Sequence, residues 1–539
     1  MKNGKLVSWL LAWALLLTAM IGVSNAENAD LTPYGRYEDT VVVTTGKFYT
    51  AKLGFVDPED TQENNAMTRL IKDRLNIEVK VLWESDDYSN KLAMEFASDS
   101  LPDMFVLQPG DYLLYRQLVD NGLLYDLGSI YDACAGDYLK YVNSTYDNRT
   151  LTTFTEADGA MYAIAGGNFD YNGHPQLFLR KDWLDALNME VPKTLEDLEN
   201  VLIAFRDNYN SVGLLLNATD PMAGWNYMYN ANAIAEYYGA HPYSWVRDEE
   251  GKVVYGSTQE GMKDALALLA RWYKEGLIDK EFATRDSSAN TALFTSGQAG
   301  AVYGPWWSAY SYADFLNVEG AEVAIVNCPL DADGDYRVIG APSSANILCI
   351  RADYEHPEVA YKLLNLEFEA YRGIDEEGYA AIVAEVDNGC DWEAMMPTSW
   401  MNLEKASALS SAADAANEMI LNGFIADESK YTSYELSVAK SAAKYAAGEE
   451  GLTGEDWINY HARFVASNLF DNLKVTYPAF SFTTESMSDL WPSLQTLEQT
   501  TFLQIITGEK SVDEFDAFVN QWYAQGGAVV TEEINDIVQ

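Results

Sequence analysis

Two adjacent tryptophans, Trp306 and Trp307, follow a Gly304-Pro305 turn in the run GQAGAVYGPWWSAY, residues 297–310. An indole offers a flat apolar face and one N–H donor, so it holds a partner by stacking and does not react with it. The residue types that do react lack the spacing that reaction needs. Four cysteines (Cys134, Cys328, Cys349, Cys390) and four histidines (His174, His241, His356, His461) are scattered, with no zinc or triad pattern. In so long a chain the cysteines read as buried thiols, not as a disulfide framework. No Gly-x-Ser-x-Gly elbow, Walker loop or His-Glu-x-x-His helix occurs. With 82 acidic residues, carboxylate pairs are everywhere, and spacing does not single out the two that a glycosidase would need. The segment DADGDY (331–336) departs from a calcium loop, because its glycine is fourth and Pro342 holds the twelfth position. It reads as a turn. No catalytic residue, cofactor or metal is assigned.

The remaining aromatics are more informative. Among 14 Trp and 35 Tyr, many lie in Gly-, Pro- or Asn-rich loops outside any periodic stripe. Such loops are DPMAGWNYMYN (220–230), GGNFDYNGHP (166–175) and MMPTSWMN (395–402). Packing beneath its own loop is the ordinary fate of one such ring, but several loops together suggest a shared aromatic cleft. A pyranose suits such a cleft: its C–H face stacks on an indole, and its hydroxyls pair with carboxylates, amides and arginines.

Charge and the N-terminal residues set the context. The formal net charge of −47 disfavours nucleic acid and anionic membrane surfaces, which recruit basic patches. Lys2 and Lys5 precede an apolar run from Leu6 to Val23, and Ser24-Asn25-Ala26 provides small residues for cleavage after Ala26. Residues 1–26 read as an export signal, with an uncleaved anchor as the alternative because the run is just long enough to span a bilayer. No cysteine near residue 26 could accept a lipid.

Which elements position the aromatic loops? After a polar lead-in (27–39), Thr40–Thr45, Ile77–Trp83 and Asp103–Leu107 read as strands, separated by helices at Asn65–Leu75 and Tyr88–Ala97. Strands alternating with helices of this length predict an α/β fold with a mostly parallel sheet. A helix capped by Thr194 with Asp197 carries Leu195, Leu198, Leu202 and Phe205 on one face. Ser257 with Glu260, and Ser511 with Glu514, show the same capping-box spacing. Their helices carry Met262, Leu266, Leu269 and Tyr273, and Phe515, Phe518, Val519 and Trp522. Gly276 and Gly526-Gly527 are expected stops. The C-terminal third is strongly helical, and at 539 residues the chain predicts more than one domain.

The run FTSGQAGAVYGPWW resembles a loop of the bacterial extracellular solute-binding proteins related to maltose-binding protein. FLRKDWLDALNMEVPKTLEDLENVLIAF, ALLARWYKEGLIDKEFAT, AEVAIVNCPLDADGD, HPEVAYKLLNLEF and TFLQIITGEKSVDEFDAFVNQWYAQGG match other parts of that family in order. The resemblance implies a hinged, two-lobed periplasmic-binding-protein-like fold of type II. Lobe 1 would span 40–154 plus about 324–368, and lobe 2 165–323 plus about 389–539. Hinges would fall near 155–164, 324–329 and 373–388. It implies a monomeric exported protein that hands a small-molecule solute, best an oligosaccharide, to ABC transporter permease subunits. Trp306 matches the family's stacking tryptophan, whereas Trp307 is ligand contact or core. Trp225, Tyr227, Asp170 and Tyr171 are the further contacts expected from lobe 2, and Trp83 and Asp86 those from lobe 1. Two departures stand out: the lipid-accepting cysteine of many relatives is missing, and RDNYNSVGLLL lacks the carboxylate spacing of the calcium loop found in some. An exported polysaccharide-degrading hydrolase is the rival class, separable by release of product. A sensor ectodomain would share the fold and differ only in its partner.

Overall fold

The structure, a computed structural model, describes residues 31–538 apart from 50–53, 147, 157, 168–172, 218–220, 223–227, 341–345, 388–389, 399, 407 and 470–471. Residues 1–26, expected to be an export signal, lie outside the described residues. Among the described residues no helix is long and apolar enough to cross a membrane.

The chain opens with β1 (Val41–Phe48), α1 (Ala66–Leu75), β2 (Ile77–Ser85), α2 (Tyr88–Ala97) and β3 (Met104–Leu107). Asn65 caps α1 by accepting from the Met67 and Thr68 amides. After α3 (Asp137–Thr145) come β4 (Ile164–Ala165) and β5 (Gln176–Arg180), then α4 (Leu195–Tyr209), β6 (Leu214–Leu215) and α5 (Glu260–Glu275). The strand β7 (Ala301–Gly304) leads into a 3-10 helix, Trp306–Asn317, followed by β8 (Val323–Val326), β9 (Tyr336–Ile339) and β10 (Ile347–Ile350). The rest is mainly helical: α6 (Val359–Tyr371), α7 (Glu376–Asp387), α8 (Ala408–Asn422) and α9 (Ser433–Ala446). A π-helical stretch (Asn459–Val465), β11 (Leu473–Thr476), α10 (Glu485–Thr507), α11 (Glu514–Trp522) and α12 (Ala528–Ile537) complete it.

Two groups of strands organise the fold. In the first, β1 pairs with β2 in parallel, and β10 pairs antiparallel with both β3 and β4. Side-chain alternation gives this group two cores. Met104, Val106, Leu348 and Ile350 join the α1 residues Met67 and Ile71 on one face, and Phe105, Leu107, Ile347 and Cys349 join Tyr88 and Leu92 on the other. In the second group the order is β8, β5, β7, β6. There Leu177, Leu179 and Tyr303 face a large core with α4, α5, α10 and α11, while Phe178, Leu215 and Val302 face the core that holds Trp306.

The expected strand and helix positions in the first 110 residues hold, and β1–α1–β2 is a parallel βαβ unit, but most of the other pairing does not follow the βαβ reading. Antiparallel ladders link β5 to β7 and β8, and β10 to β3 and β4, so these sheets are not mostly parallel. Strands from distant parts of the chain complete each sheet, which local alternation does not reveal. Ala324, at the start of one expected hinge, lies in β8 paired with Leu179, and the return to the first sheet comes at β10. The segment expected as a hinge at 373–388 contains α7, tied to α1 through Arg74 and Glu377 at 2.9 Å. Thr155 and Met161, at the edge of a further expected hinge, pair in an antiparallel bridge.

Of the three capping boxes, one forms. Thr194 Oγ1 accepts from the Asp197 amide at 3.1 Å, and Asp197 accepts from the Thr194 amide at 3.0 Å. Ser257 instead accepts from the Tyr243 amide, leaving Gln259 as an N-cap without a side-chain bond. Ser511 bonds Asp513, which takes the N-cap position of α11. Gly276 ends α5 in the left-handed conformation as expected, whereas helix resumes beyond Gly526-Gly527 as α12. No disulfide joins the four cysteines, and Asp331 in DADGDY accepts from its own turn amides and from Arg337, as a turn aspartate does.

Lys47 ties β1 to a distant segment. Its buried amine donates to the carbonyls of Ala394 and Met396 at 2.9 and 2.8 Å. Nearby, burial pushes the Glu367 carboxyl up from 4.5 to about 8, although Thr398 donates to it at 2.6 Å. The folded chain thus holds a proton that the unfolded chain releases above about pH 4.5. This contribution to stability is present below that pH and is lost as the pH rises through about 8. Glu367→Gln should therefore flatten the fall in urea midpoint between about pH 5 and about pH 8 relative to the parent protein. Parallel pH profiles for the two proteins would contradict that. Thr194→Ala should cost about 1 kcal/mol, read as a lower urea midpoint with unchanged slope.

Candidate functional site

The loop bearing Trp306 is fixed from below. All four residues of β7 are buried, the Tyr303 amide-flanked carbonyl accepts from the Tyr229 amide at 2.8 Å, and the Tyr303 hydroxyl donates to the Cys328 carbonyl at 2.8 Å. Gly304 is required by close approach, since a Cβ there would lie 2.2 Å from Ser308 Oγ. Pro305 is extended and the chain then turns into the 3-10 helix, which places Trp306 at its first position. The Trp306 ring is 8% exposed and packs in a core with Phe178, Tyr229 and Tyr312. Trp307 is half-buried and meets Trp306 edge-on at 5.6 Å, with Tyr310 at 6.3 Å.

Arg463 covers part of this indole. Its guanidinium lies 4.2 Å from the centre of the Trp306 ring, a cation–π geometry, and 5.8 Å from that of Tyr434. Nη2 reaches the Tyr310 hydroxyl at 3.4 Å, and Nε is buried with no hydrogen-bond partner. The π-helical stretch that presents Arg463 is a geometry that inserts an extra residue per turn and often marks functional positions. Beside it His461 stacks on Trp457 at 4.0 Å, and burial lowers its pKa to about 4, so this imidazole is neutral near pH 7. Its role is packing.

On the other side of Arg463 opens a cavity of about 420 Å³. Tyr138 and Tyr141 of α3, Arg372 after α6, and Glu404-Lys405 line one wall; residues 429–435 and Arg463 line the other. Arg372 is ion-paired with Glu404 and lies over Tyr371 and Tyr434, at 4.9 and 5.4 Å. Lys405 pairs with Glu435 at 3.0 Å, and the Tyr138 hydroxyl donates to the Leu403 carbonyl at 3.0 Å. The walls are thus built of tyrosine faces and charged donors, and the one described lining hydroxyl that donates to a lining carboxylate, Thr432 to Glu435 at 3.2 Å, belongs to the capping box of α9.

The residues expected to contact a ligand fall in three sets. Trp306 and Trp307 are together. Trp83 is half-buried in the first strand group, tilted against Tyr88 at 5.1 Å and lying so close to Gly46 that a Cβ there would meet the indole at 2.2 Å. Asp86 is exposed in the turn that follows β2. No ring contact among the described residues joins Trp83 to Trp306. Trp225, Tyr227, Asp170 and Tyr171 lie outside the described residues. Sequence reasoning missed Arg463, Arg372, Tyr434 and Tyr141. For Arg463 a signal existed: positions three and four residues away on either side are Asn459, Tyr460, Ala466 and Ser467, so a basic residue in a very acidic chain has no carboxylate at helical spacing.

Comparison with known proteins adds three findings. The sequence model of the family described as "Bacterial extracellular solute-binding protein" matches residues 65–369. The polygalacturonan/rhamnogalacturonan-binding protein YtcQ of Bacillus subtilis is 22% identical over 471 residues, covering 86% of this chain and 85% of its own. Two solved structures share the fold. One is the HMO-binding ABC-transporter-associated solute-binding protein of Bifidobacterium longum infantis, with TM-score 0.62, 15% identity, and 92% and 98% coverage of this chain and its own. The other is the S. pneumoniae ABC-transporter substrate-binding protein FusA in complex with kestose, with TM-score 0.61, 14% identity, and coverage of 92% and 98%.

Proposed function

From the premise that the chain belongs to the bacterial extracellular solute-binding proteins, we propose that it captures an oligosaccharide outside the cytoplasm and presents it, chemically unchanged, to an ABC transporter permease. The observation that carries this reading is the match along 86% of the chain to a polygalacturonan/rhamnogalacturonan-binding protein. The geometry agrees in kind: aromatic faces alternate with charged donors around the Trp306 loop and the adjoining cavity, and both are what a pyranose requires.

In this reading the first strand group with α3 and α6 forms one lobe, and the second group with the C-terminal helices forms the other. The chain leaves the first group after β4, returns to it at β10 and leaves it again before the C-terminal helices, and rotation about these crossings opens and closes the gap. The ligand favours the closed form because only that form touches it from both sides. A sugar face packs on Trp306, whose indole is partly covered in this form by the Arg463 guanidinium of the same lobe, so the guanidinium swings aside as the sugar enters. Trp307, Trp225, Tyr227, Asp170 and Tyr171 are the proposed neighbours on the same lobe, and Trp83 and Asp86 the proposed contacts across the gap. Export through residues 1–26, a monomeric state and the absence of turnover belong to the same proposal.

Burying one face of the indole against a sugar is worth roughly 1–3 kcal/mol, a factor of about 5 to 150 in affinity. Trp306→Ala should therefore weaken calorimetric binding of an oligosaccharide by about that factor while the chain length of the recovered sugar stays the same. An unchanged dissociation constant removes Trp306 from the site. Shortened sugar would favour the hydrolase class.

A further inference from the structure

We propose that the oligosaccharide is acidic and that Arg463 receives one of its carboxylates. This rests on the oligosaccharide-binding reading above and specifies the ligand's chemistry. The argument starts from charge. Across the chain, 82 acidic residues face 35 basic ones, yet the cavity beside Trp306 is lined by four cations, Arg372, Lys405, Lys430 and Arg463, and by two carboxylates, Glu404 and Glu435. The local sign is opposite to the global one.

The two carboxylates are already engaged, Glu404 with Arg372 and Glu435 with Lys405. Lys430, which is exposed, and Arg463, which is half-buried, are left over. Most described arginines lie within salt-bridge distance of a carboxylate, and the exceptions Arg36 and Arg247 donate to backbone carbonyls instead. Among the described residues Arg463 has only the Tyr310 hydroxyl at 3.4 Å and the faces of Trp306 and Tyr434. Its Nε is buried without a partner. A guanidinium is planar, always charged and forks toward two oxygens at once, so a half-buried one with unused donors is matched by a carboxylate. A neutral sugar would leave that charge unanswered in a desolvated place, which is costly. Arg463 also connects the two features: its guanidinium lies over the indole at 4.2 Å and lines the cavity, so a carboxylate that draws it toward the cavity brings the same uronate unit to the indole face.

The test is a calorimetric panel of oligosaccharides of galacturonate, glucuronate and mannuronate, each beside a counterpart whose carboxyls have been reduced to alcohols. The proposal predicts that at least one uronate binds, that its reduced counterpart binds about 10- to 150-fold more weakly, and that Arg463→Met loses affinity for the uronate by a similar factor. Arg463→Lys should recover part of it, since it keeps the charge and loses the fork. The reduced counterparts are tested on the parent protein, so the result stands even where Arg463→Met does not fold. Equal binding of acid and reduced forms overturns the acidic-ligand inference and leaves sugar capture standing. Failure of both acid and neutral oligosaccharides to bind overturns sugar capture, and this inference with it.

Discussion

The stack of the Arg463 guanidinium on the Trp306 indole is the contact around which the candidate site is arranged. It joins two parts of the chain more than 150 positions apart, the 3-10 helix after β7 and the π-helical stretch before β11. Each partner is set by its own support. The indole rests on a buried strand whose last residue must be glycine, and the guanidinium rests on helices whose shared interface is rich in alanine, Ala415 and Ala416 against Ala439 and Ala442. Small residues let those helices approach closely, which brings Tyr434 and Arg463 to the same wall. Without either support the aromatic faces and the charge would not share one cavity.

Much of this architecture was legible in the sequence, and the rest was not for identifiable reasons. Strands and helices through Leu107 announced themselves because their apolar periods are local, and Thr194 with Asp197 announced a cap because both partners lie within one turn. Pairing was less legible. β10 closes the first sheet from more than 200 residues away, and β8 sits where a hinge was expected, because apolar strands carry no label for the sheet they join. Ser257 and Ser511 have the right spacing and the wrong partners: the backbone amide of distant Tyr243 in one case and Asp513, two residues on, in the other captured the hydroxyl. At the candidate site Trp306 could be singled out by the Gly-Pro turn before it. Arg463 could not be placed against it, because their proximity is produced entirely by folding.

The electrostatics divide into a surface that repels and a site that attracts. A net charge of −47 keeps the chain away from polyanions at long range, but at physiological ionic strength such a field is screened within about 8 Å. Inside that distance the cavity's own residues decide. Buried ionisable groups elsewhere are neutralised, as His461 is, ion-paired, as Arg180 is with Asp182, or held by backbone carbonyls, as Lys47 is. Arg463 is treated in none of these ways. A family whose members bind and release solutes needs a site that is incomplete when empty, and an unsatisfied charge beside an aromatic face is one physical form of that incompleteness.

The most direct test is a crystal structure of the protein with a bound oligosaccharide, read at the atoms around position 306. The account predicts a sugar ring against the Trp306 indole, a polar substituent on the Arg463 guanidinium, and an intact glycosidic chain held between the two strand groups. A sugar bound elsewhere, with the indole still sealed beneath the guanidinium, would contradict it.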